Sequence, residues 1–427
     1  MTLLELSTLL LVLTAGLAFL NARFLKLPAS IGVTVGGLIV SLLLFGLSAL
    51  KVPFAVQMVE LVRAFQFQDF VFQGVLSFLL FAGALGVNSP ALWKLHGPIL
   101  TFALISTALS IALVGFGTYG LLSLFGLHVS LMYCLLFGAL ISPTDPVAVL
   151  GMLKQAKVPE RIETVVAGES LFNDGVGVVA FAVLAGLVGA GAHAAGGHGS
   201  EVSLAGIAGF FAQEALGGLV LGGVLGLLGY LALRAIDDFS TEVLVTLGVV
   251  LLCTTVATNL HVSAPLAAVA AGLLIGSLTD RRPLALSSHE RHEAFWHLTD
   301  ELLNIALFSL LALQVVGIDF SGRSLLLGLI AIPLVLLART VSVVLPFGVL
   351  SRRYSFDPYS RRLLIWGGLR GAISVALAFM VPAGPEHDLF LVMTYAVVVF
   401  SIIVQGLSVG RLAQGAAQSA ARQAQLN

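Results

Sequence analysis

The sequence predicts an all-α polytopic membrane protein. Hydrophobic residues make up 58% of the 427-residue chain, charged residues make up only 10%, and the mean hydropathy is +1.05. Soluble domains carry about 25% charged residues, so this chain has too few charges to cover a water-facing surface. Most of its surface is therefore expected to face lipid.

Apolar stretches of about 20 residues, enough to cross a bilayer as a helix, divide the chain into about 13 predicted spans. They are 3–22, 27–48, 69–88, 97–126, 129–153, 163–191, 204–234, 240–259, 264–279, 298–317, 322–351, 362–383 and 388–412. Glu5, rather than a basic cluster, precedes most of the first span, which we expect to be retained and not cleaved as a signal peptide. We predict one transmembrane domain at 1–413 and a short polar tail at 414–427.

The distribution of the 21 Lys and Arg residues predicts the orientation. Most of them lie in alternate loops that begin after the first span, whereas the loops on the other side hold only Lys51, Arg63 and Arg323. The positive-inside rule then places the N-terminus outside and the C-terminus in the cytoplasm of a cell (inner) membrane protein. A net charge of -1 and the lack of any Lys/Arg run give no reason to expect a nucleic-acid partner.

Ionisable side chains inside the spans are the first functional candidates, because burying a charge in the membrane is costly and such residues usually have a functional role. The candidates are Asp145, Glu169, Asp174, Glu301, Arg339 and Arg370. The two cysteines lie in apolar segments and suggest neither a disulfide nor a metal site. No cofactor is expected.

The fifth span contains Ser142, Pro143, Thr144, Asp145 and Pro146 in succession. Two prolines remove backbone donors and disfavour helix before them, which predicts a break at mid-membrane. Broken backbone at that depth lines a cavity or is buried in protein, and its free carbonyls can bind a cation. Asp145 is expected to neutralise the positive ends of nearby half-helices. The alternative is a kinked helix whose buried Asp145 pairs elsewhere.

The sixth span carries two adjacent pairs of oxygen-bearing side chains. Ser170 and Asp174 share one helical stripe, and Glu169 and Asn173 share the next. Sodium is a hard cation that prefers carboxylate, hydroxyl and carbonyl oxygens, so Asp174, Thr144 and Ser170 predict a sodium site. A buried carboxylate that holds either a proton or a cation is the basis of an exchanger. The alternative is a polar seam between helices.

The twelfth span places Gly367, Gly368 and Gly371 around Arg370, which weakens the helix and permits close backbone approach. This break lies seven spans after the first, so the two broken helices run in opposite directions and fit an inverted repeat. Arg370 would then compensate the negative half-helix ends. Such paired breaks mark a transporter's substrate site.

Arg339 in the eleventh span is predicted to form a structural ion pair with Glu169 or Glu301, because an unpaired buried charge is untenable. Glu301 and Asn304 are three residues apart on one helical face and belong to the same predicted network.

The motifs at 142–148, 169–175 and 367–372 resemble those of the monovalent cation/proton antiporter family, which includes the bacterial NhaP proteins and the animal sodium/proton exchangers. The resemblance covers nearly the whole chain. It implies a homodimer with the NhaA-type fold, in which two discontinuous helices cross and a core domain, including 129–191 and 362–412, moves against a static one. It also implies that Asp174 binds the ion with Thr144, Ser170 and Glu169, and that Asn173 before it makes the exchange electroneutral, one cation per proton.

The third span departs from this pattern. Many relatives carry a carboxylate in a Leu-Phe-Glu-Gly stretch, where this chain has Phe81, Ala82 and Gly83. If that carboxylate normally pairs with the arginine matching Arg370, another partner is needed here, such as Asp145 or Glu301.

The leading hypothesis is a sodium (or lithium)/proton antiporter, with sodium, protons and the lipid bilayer as partners. A potassium/proton antiporter is the close alternative, since the ligand set does not fix a cavity radius. An intramembrane aspartyl protease using Asp145 and Asp174 is disfavoured, because the chain has no Gly-x-Gly-Asp motif. A sodium-coupled symporter of organic anions would not need Glu169 and Asp174 together.

Overall fold

A computed structural model describes residues 3–87, 89–194, 204–281, 286–318, 320–354, 356 and 359–426. Every regular element in these ranges is a helix. The predicted all-α class is therefore confirmed.

The α-helices of the described ranges are numbered in chain order. They are α1 (Leu3–Leu20), α2 (Ala29–Ala49), α3 (Pro53–Ala64), α4 (Phe67–Asp69), α5 (Leu76–Leu85), α6 (Ser89–Lys94), α7 (His96–Leu100), α8 (Thr107–Leu124), α9 (Leu131–Ile141), α10 (Val147–Gln155), α11 (Glu160–Ala194), α12 (Leu204–Arg234), α13 (Phe239–Leu260), α14 (Ala264–Arg281), α15 (Leu286–Gln314), α16 (Gly322–Leu350), α17 (Ser360–Trp366), α18 (Ala372–Phe379), α19 (Pro385–Phe400) and α20 (Gly406–Leu426).

Nine helical stretches of the described ranges are long and apolar enough to cross a membrane, and three apolar helices are shorter. A helix occupies each stretch predicted as a span. Two elements differ from the sequence prediction. The amphipathic helix α3 forms between the second and third predicted spans, and α20 continues as helix through the segment predicted as a polar tail.

Two helices are interrupted in their middle. The chain leaves α9 at Ile141 and enters α10 at Val147, and it leaves α17 at Trp366 and enters α18 at Ala372. We name residues 142–146 the first break and residues 367–371 the second break. The first follows from its two prolines, which remove donors that a continuous helix needs. The second follows from its glycines, which are poor helix formers.

Four helical turns are wider than α-helical turns and hold one extra residue each. These π-type turns are Asn21–Leu25, Phe70–Val75, Thr101–Ser106 and Ser401–Gln405. Such turns inside α-helices are frequent at functional sites. The last one joins α19 to α20 and lies against the second break.

The broken helices lie at the centre of the packing. Residues 134 and 136–144 are all buried, as are 367–372 and 374–378. α8 and α11 pack on α9, and α19 packs on α18. A separate buried cluster around Trp296 of α15 joins α5, α13 and α14. Both breaks are therefore surrounded by protein, as irregular backbone at membrane depth requires.

Helices α12 and α14 pack in close backbone contact. A β-carbon added at Gly222 would overlap Ala267 O, and one at Gly226 would lie 2.8 Å from the Cα of Ala271. Side chains are thus excluded from this contact, as at other small-residue interfaces between membrane helices.

Gly222→Ala is expected to force α12 and α14 apart and to cost about 1–3 kcal/mol of stability, the range for overpacking a tight contact. The midpoint of thermal unfolding in detergent measures the loss. Gly223→Ala is the matched control, because nothing lies within 4 Å of a β-carbon at that position. Equal midpoints for the two variants would contradict the close contact.

Candidate functional site

The two breaks bind each other through their backbones. The N–H of Asp145 donates to Leu369 O at 2.8 Å. The Nη1 of Arg370 donates to Ser142 O and to Pro143 O, the latter at 3.1 Å. Groups that a continuous helix would satisfy internally are therefore satisfied by the opposite break, which buried backbone demands.

The charged residue of each break lies at the end of a half-helix belonging to the other. A β-carbon at Gly371, the residue before α18, would overlap Oδ2 of Asp145, so this carboxylate lies at the positive N-terminal end of α18. Arg370 contacts the carbonyls that follow α9, at its negative end. Both placements are electrostatically favourable.

A hydrogen-bonded cluster connects the first break to α11. Asn173 Oδ1 accepts from the N–H of Thr144 at 3.1 Å, and Asn173 Nδ2 donates to Thr144 Oγ1 at 2.7 Å and to Glu169 Oε1 at 2.9 Å. Thr144 Oγ1 also lies 3.0 Å from Ser170 Oγ. All four residues are buried. The Asn173 amide thereby fixes the first break against α11.

Arg339 of α16 pairs with Glu169 through two parallel contacts. Its Nη1 and Nη2 lie 2.9 Å and 3.0 Å from the two carboxylate oxygens. The same guanidinium donates to Leu364 O from Nη2 at 2.8 Å and from Nε at 3.2 Å. Of the two partners predicted for Arg339, the structure gives Glu169. Glu301 is exposed on α15, whereas Asn304, predicted to belong to the same network, is buried and donates to Asp300 Oδ1 at 3.1 Å.

Asp174 differs from its neighbours because its carboxylate accepts no hydrogen bond from the described residues, although the side chain is only 4% exposed. Asp145, Glu169 and Arg370 are the charged groups that act on it. It lies one helical turn after Ser170 on α11, the residue whose hydroxyl contacts Thr144. Its oxygens are thus buried and not used by the hydrogen bonds of the described residues.

The chemistry of this cluster suits a small hard cation. Asp174 offers carboxylate oxygens, and Thr144 and Ser170 offer hydroxyl oxygens, the ligand types that such ions prefer. No group of three or more His, Cys, Asp or Glu side chains in the described residues is arranged to hold a metal ion. Glu169 and Asn173 were also predicted to contribute to ion binding, and their hydrogen bonds assign them first to holding the cluster together.

The question raised by Ala82 has a structural answer. Ala82 lies in the apolar cluster around Trp296, whose ring centroid is 4.8 Å from that of Phe81. Arg370 instead uses the carbonyls of the first break.

The second break is bound by two residues that were not among the predicted site residues, Ser401 and Gln405. The N–H of Arg370 donates to Ser401 Oγ at 2.9 Å, and Gln405 Nε2 donates to Trp366 O at 3.2 Å. Their sequence signal was present, since both are polar residues inside the apolar span predicted at 388–412. Neutral polar residues in a span indicate a functional site less strongly than charged residues do. These two residues were therefore not predicted.

Comparison with known proteins agrees with this geometry. A family model described as the transmembrane sodium/hydrogen exchanger matches residues 9–415. The chain is 42% identical over 417 residues to the Na(+)/H(+) antiporter NhaP of Pseudomonas aeruginosa, covering 96% of each chain, and 32% identical over 395 residues to the Na(+)/H(+) antiporter NhaH of Halobacillus dabanensis, covering 91% of each. The solved structure of the sodium proton antiporter MjNhaP1 from Methanocaldococcus jannaschii superposes with a TM-score of 0.75 at 20% identity, over 96% of this chain and 97% of that one.

Arg339→Met is expected to cost about 3–5 kcal/mol of stability, because it leaves the charge of Glu169 buried without its partner. The double variant Glu169→Gln/Arg339→Met removes both charges and is expected to recover much of that loss. Unfolding midpoints of the wild type, both single variants and the double variant form the thermodynamic cycle. Strictly additive losses would show that the two side chains do not interact.

Proposed function

Because the chain belongs to the sodium/hydrogen exchanger family, we propose that it is a secondary antiporter that exchanges sodium, or lithium, for protons across the membrane. The observation that carries this proposal is the buried Asp174 carboxylate, which accepts no hydrogen bond from the described chain although its neighbours are all bonded. It is the acceptor left available for a transported ion.

Sodium is proposed to bind Asp174, Thr144 and Ser170. Burial penalises a bare carboxylate charge, so the site favours states in which Asp174 holds a proton or a cation. The two ligands then exclude each other, and alternating access to this one group couples their movements. The freed carbonyls of the first break are further oxygen ligands of the required type. Membership of a transporter family agrees with a chain that moves ions and is not an enzyme.

The charges around Asp174 support electroneutral exchange. Three carboxylates act on one another there, namely those of Asp145, Glu169 and Asp174, together with the two guanidinium groups of Arg339 and Arg370. With all of them ionised, the cluster carries one net negative charge. A single proton or a single sodium ion neutralises it equally, so both loaded states carry the same charge across the membrane.

The proposed architecture has thirteen transmembrane helices in the NhaA-type arrangement, with inverted repeats that place the two breaks opposite each other. The support is the predicted offset of seven spans between the broken helices and the hydrogen bond from the N–H of Asp145 to Leu369 O. The basic residues support an external N-terminus and a cytoplasmic C-terminus in the inner membrane. A homodimer is proposed on the family resemblance.

Potassium remains the alternative cation, because side-chain oxygens of these types bind both ions. An aspartyl protease would need two carboxylates that share a proton. That role is not supported, because Asp145 is at the end of α18, beside Gly371, and the family consists of transporters.

Asp174→Ala is expected to abolish sodium-dependent proton movement, because no other carboxylate of the cluster is free of protein partners. Purified protein in vesicles with an imposed pH gradient is challenged with sodium, lithium or potassium, and internal pH is followed with a dye. Glu301→Gln is the control, since Glu301 is exposed. Exchange that persists in Asp174→Ala would remove the site, and exchange with potassium alone would establish the alternative cation.

The rate of exchange is expected to be independent of membrane potential, because the loaded states are equal in charge. Potassium gradients with valinomycin set the potential of the vesicles while the sodium and pH gradients are held constant. A rate that changes with the potential would exclude one-for-one exchange.

A further inference from the structure

Ser401 and Gln405 bind both ends of the second break. They are four residues apart in the π-type turn between α19 and α20, and both are buried. Ser401 Oγ accepts from the N–H of Arg370 at 2.9 Å and donates to Gln405 Oε1 at 2.7 Å. Gln405 Nε2 donates to Trp366 O at 3.2 Å. The chain of bonds thus runs from the N–H of Arg370, inside the break, back to the carbonyl of Trp366, the last residue of α17.

These bonds answer a specific need of a broken helix. A helix that stops leaves carbonyls without partners at its C-terminal end, and the N–H groups of the break need acceptors too. Gln405 meets the first need at Trp366, and Ser401 meets the second at Arg370, two residues before α18. Oε1 of Gln405 links the two. One pair of side chains therefore sets the distance between Trp366 and Arg370.

The position of Arg370 matters beyond the stability of the break. Its backbone is bound by Ser401, and its guanidinium contacts the carbonyls of Ser142 and Pro143. The guanidinium also acts on the charge of Asp174. A small displacement of the Arg370 backbone would therefore change how closely the guanidinium approaches the ion-binding carboxylate.

The surroundings leave room for such a displacement. A cavity next to the second break is lined by Arg339, Gly368, Arg370, Phe400 and Gln405. In the described part of the chain, the guanidinium of Arg370 donates only from Nη1. Its other N–H groups are not fixed by protein acceptors, so the backbone bond to Ser401 is a main restraint on the residue.

We propose that Ser401 and Gln405 are positioning residues that set the apparent sodium affinity through Arg370, without touching the ion. This inference rests on the proposed antiport function. When the restraint is removed, the guanidinium no longer holds the carbonyls of Ser142 and Pro143 in place. Thr144, the next residue and a proposed sodium ligand, is then displaced, and the KM for sodium rises.

The experiment measures KM for sodium and Vmax in vesicles for Gln405→Leu, Ser401→Ala and Ser401→Thr. A lost hydrogen bond is worth about 0.5–1.5 kcal/mol, equivalent to about a 2- to 12-fold change in KM. A rise in that range is expected for Gln405→Leu and Ser401→Ala. Ser401→Thr retains the hydroxyl and is expected to keep the wild-type values.

Ser408→Ala is the matched control. Ser408 lies in the same helix and accepts from the indole Nε1 of Trp366 at 2.8 Å, but it does not bond the backbone of the break. It is expected to leave the KM unchanged. A structural defect alone would lower Vmax by reducing the number of active molecules and would not change the KM.

A wild-type KM in Gln405→Leu and Ser401→Ala would overturn the proposal, as would an equal rise in the KM of Ser408→Ala. If Gln405→Leu fails to fold, the comparison of Ser401→Ala with Ser401→Thr decides. Failure of the antiport function itself has a different signature, since the wild type would then show no sodium-dependent proton movement.

Discussion

The structure depends on satisfying the polar groups of backbone that is broken in the middle of a membrane protein. No water-rich surroundings are available there, and each unsatisfied group costs several kcal/mol. The two breaks meet this constraint jointly, with Asp145 and Arg370 donating to carbonyls of the opposite break. Neither broken helix is expected to be stable without the other, which explains why both are enclosed by the surrounding helices.

The need to satisfy buried polar groups also distinguishes the side chains that support the site from the Asp174 carboxylate, which is available to bind an ion. Glu169, Asn173 and Arg339 use their hydrogen-bonding atoms on one another and on backbone. This network holds Thr144 beside Ser170 and keeps the charges of Glu169 and Arg339 neutral as a pair. Asp174 is thereby held in a rigid and electrostatically defined place while its own oxygens remain uncommitted. Rigid supporting residues around a free ligand are the general requirement for a selective site.

The sequence was sufficient where a residue type allows few physical alternatives. The prolines of the first break, and the long apolar stretches, leave little choice of structure, and the helical class is confirmed. Helical spacing brought Ser170 and Asp174 to one stripe, but it could not choose between Glu169 and Glu301 for Arg339, since that depends on how three helices are rotated. The neutral pair at Ser401 and Gln405 was missed because its role arises from contact with a distant segment. The assignment of Asp174 as the ion ligand stays a prediction.

The wide turn at Ser401–Gln405 also has a consequence for insertions and deletions. It holds one residue more than a regular turn, so removing a single residue there would let the helix close into uninterrupted α-helical geometry. The face that α20 presents would stay in register after such a deletion, because the wide turn already absorbs the extra residue. If the turn instead closed into α-helical geometry with all its residues kept, everything that follows would rotate by about 100° relative to α19. Val409 and Ala413, now buried, would then leave their contacts along with the rest of α20, which packs on α10 and α17. The wide turn therefore keeps the buried face of α20 in register with α19.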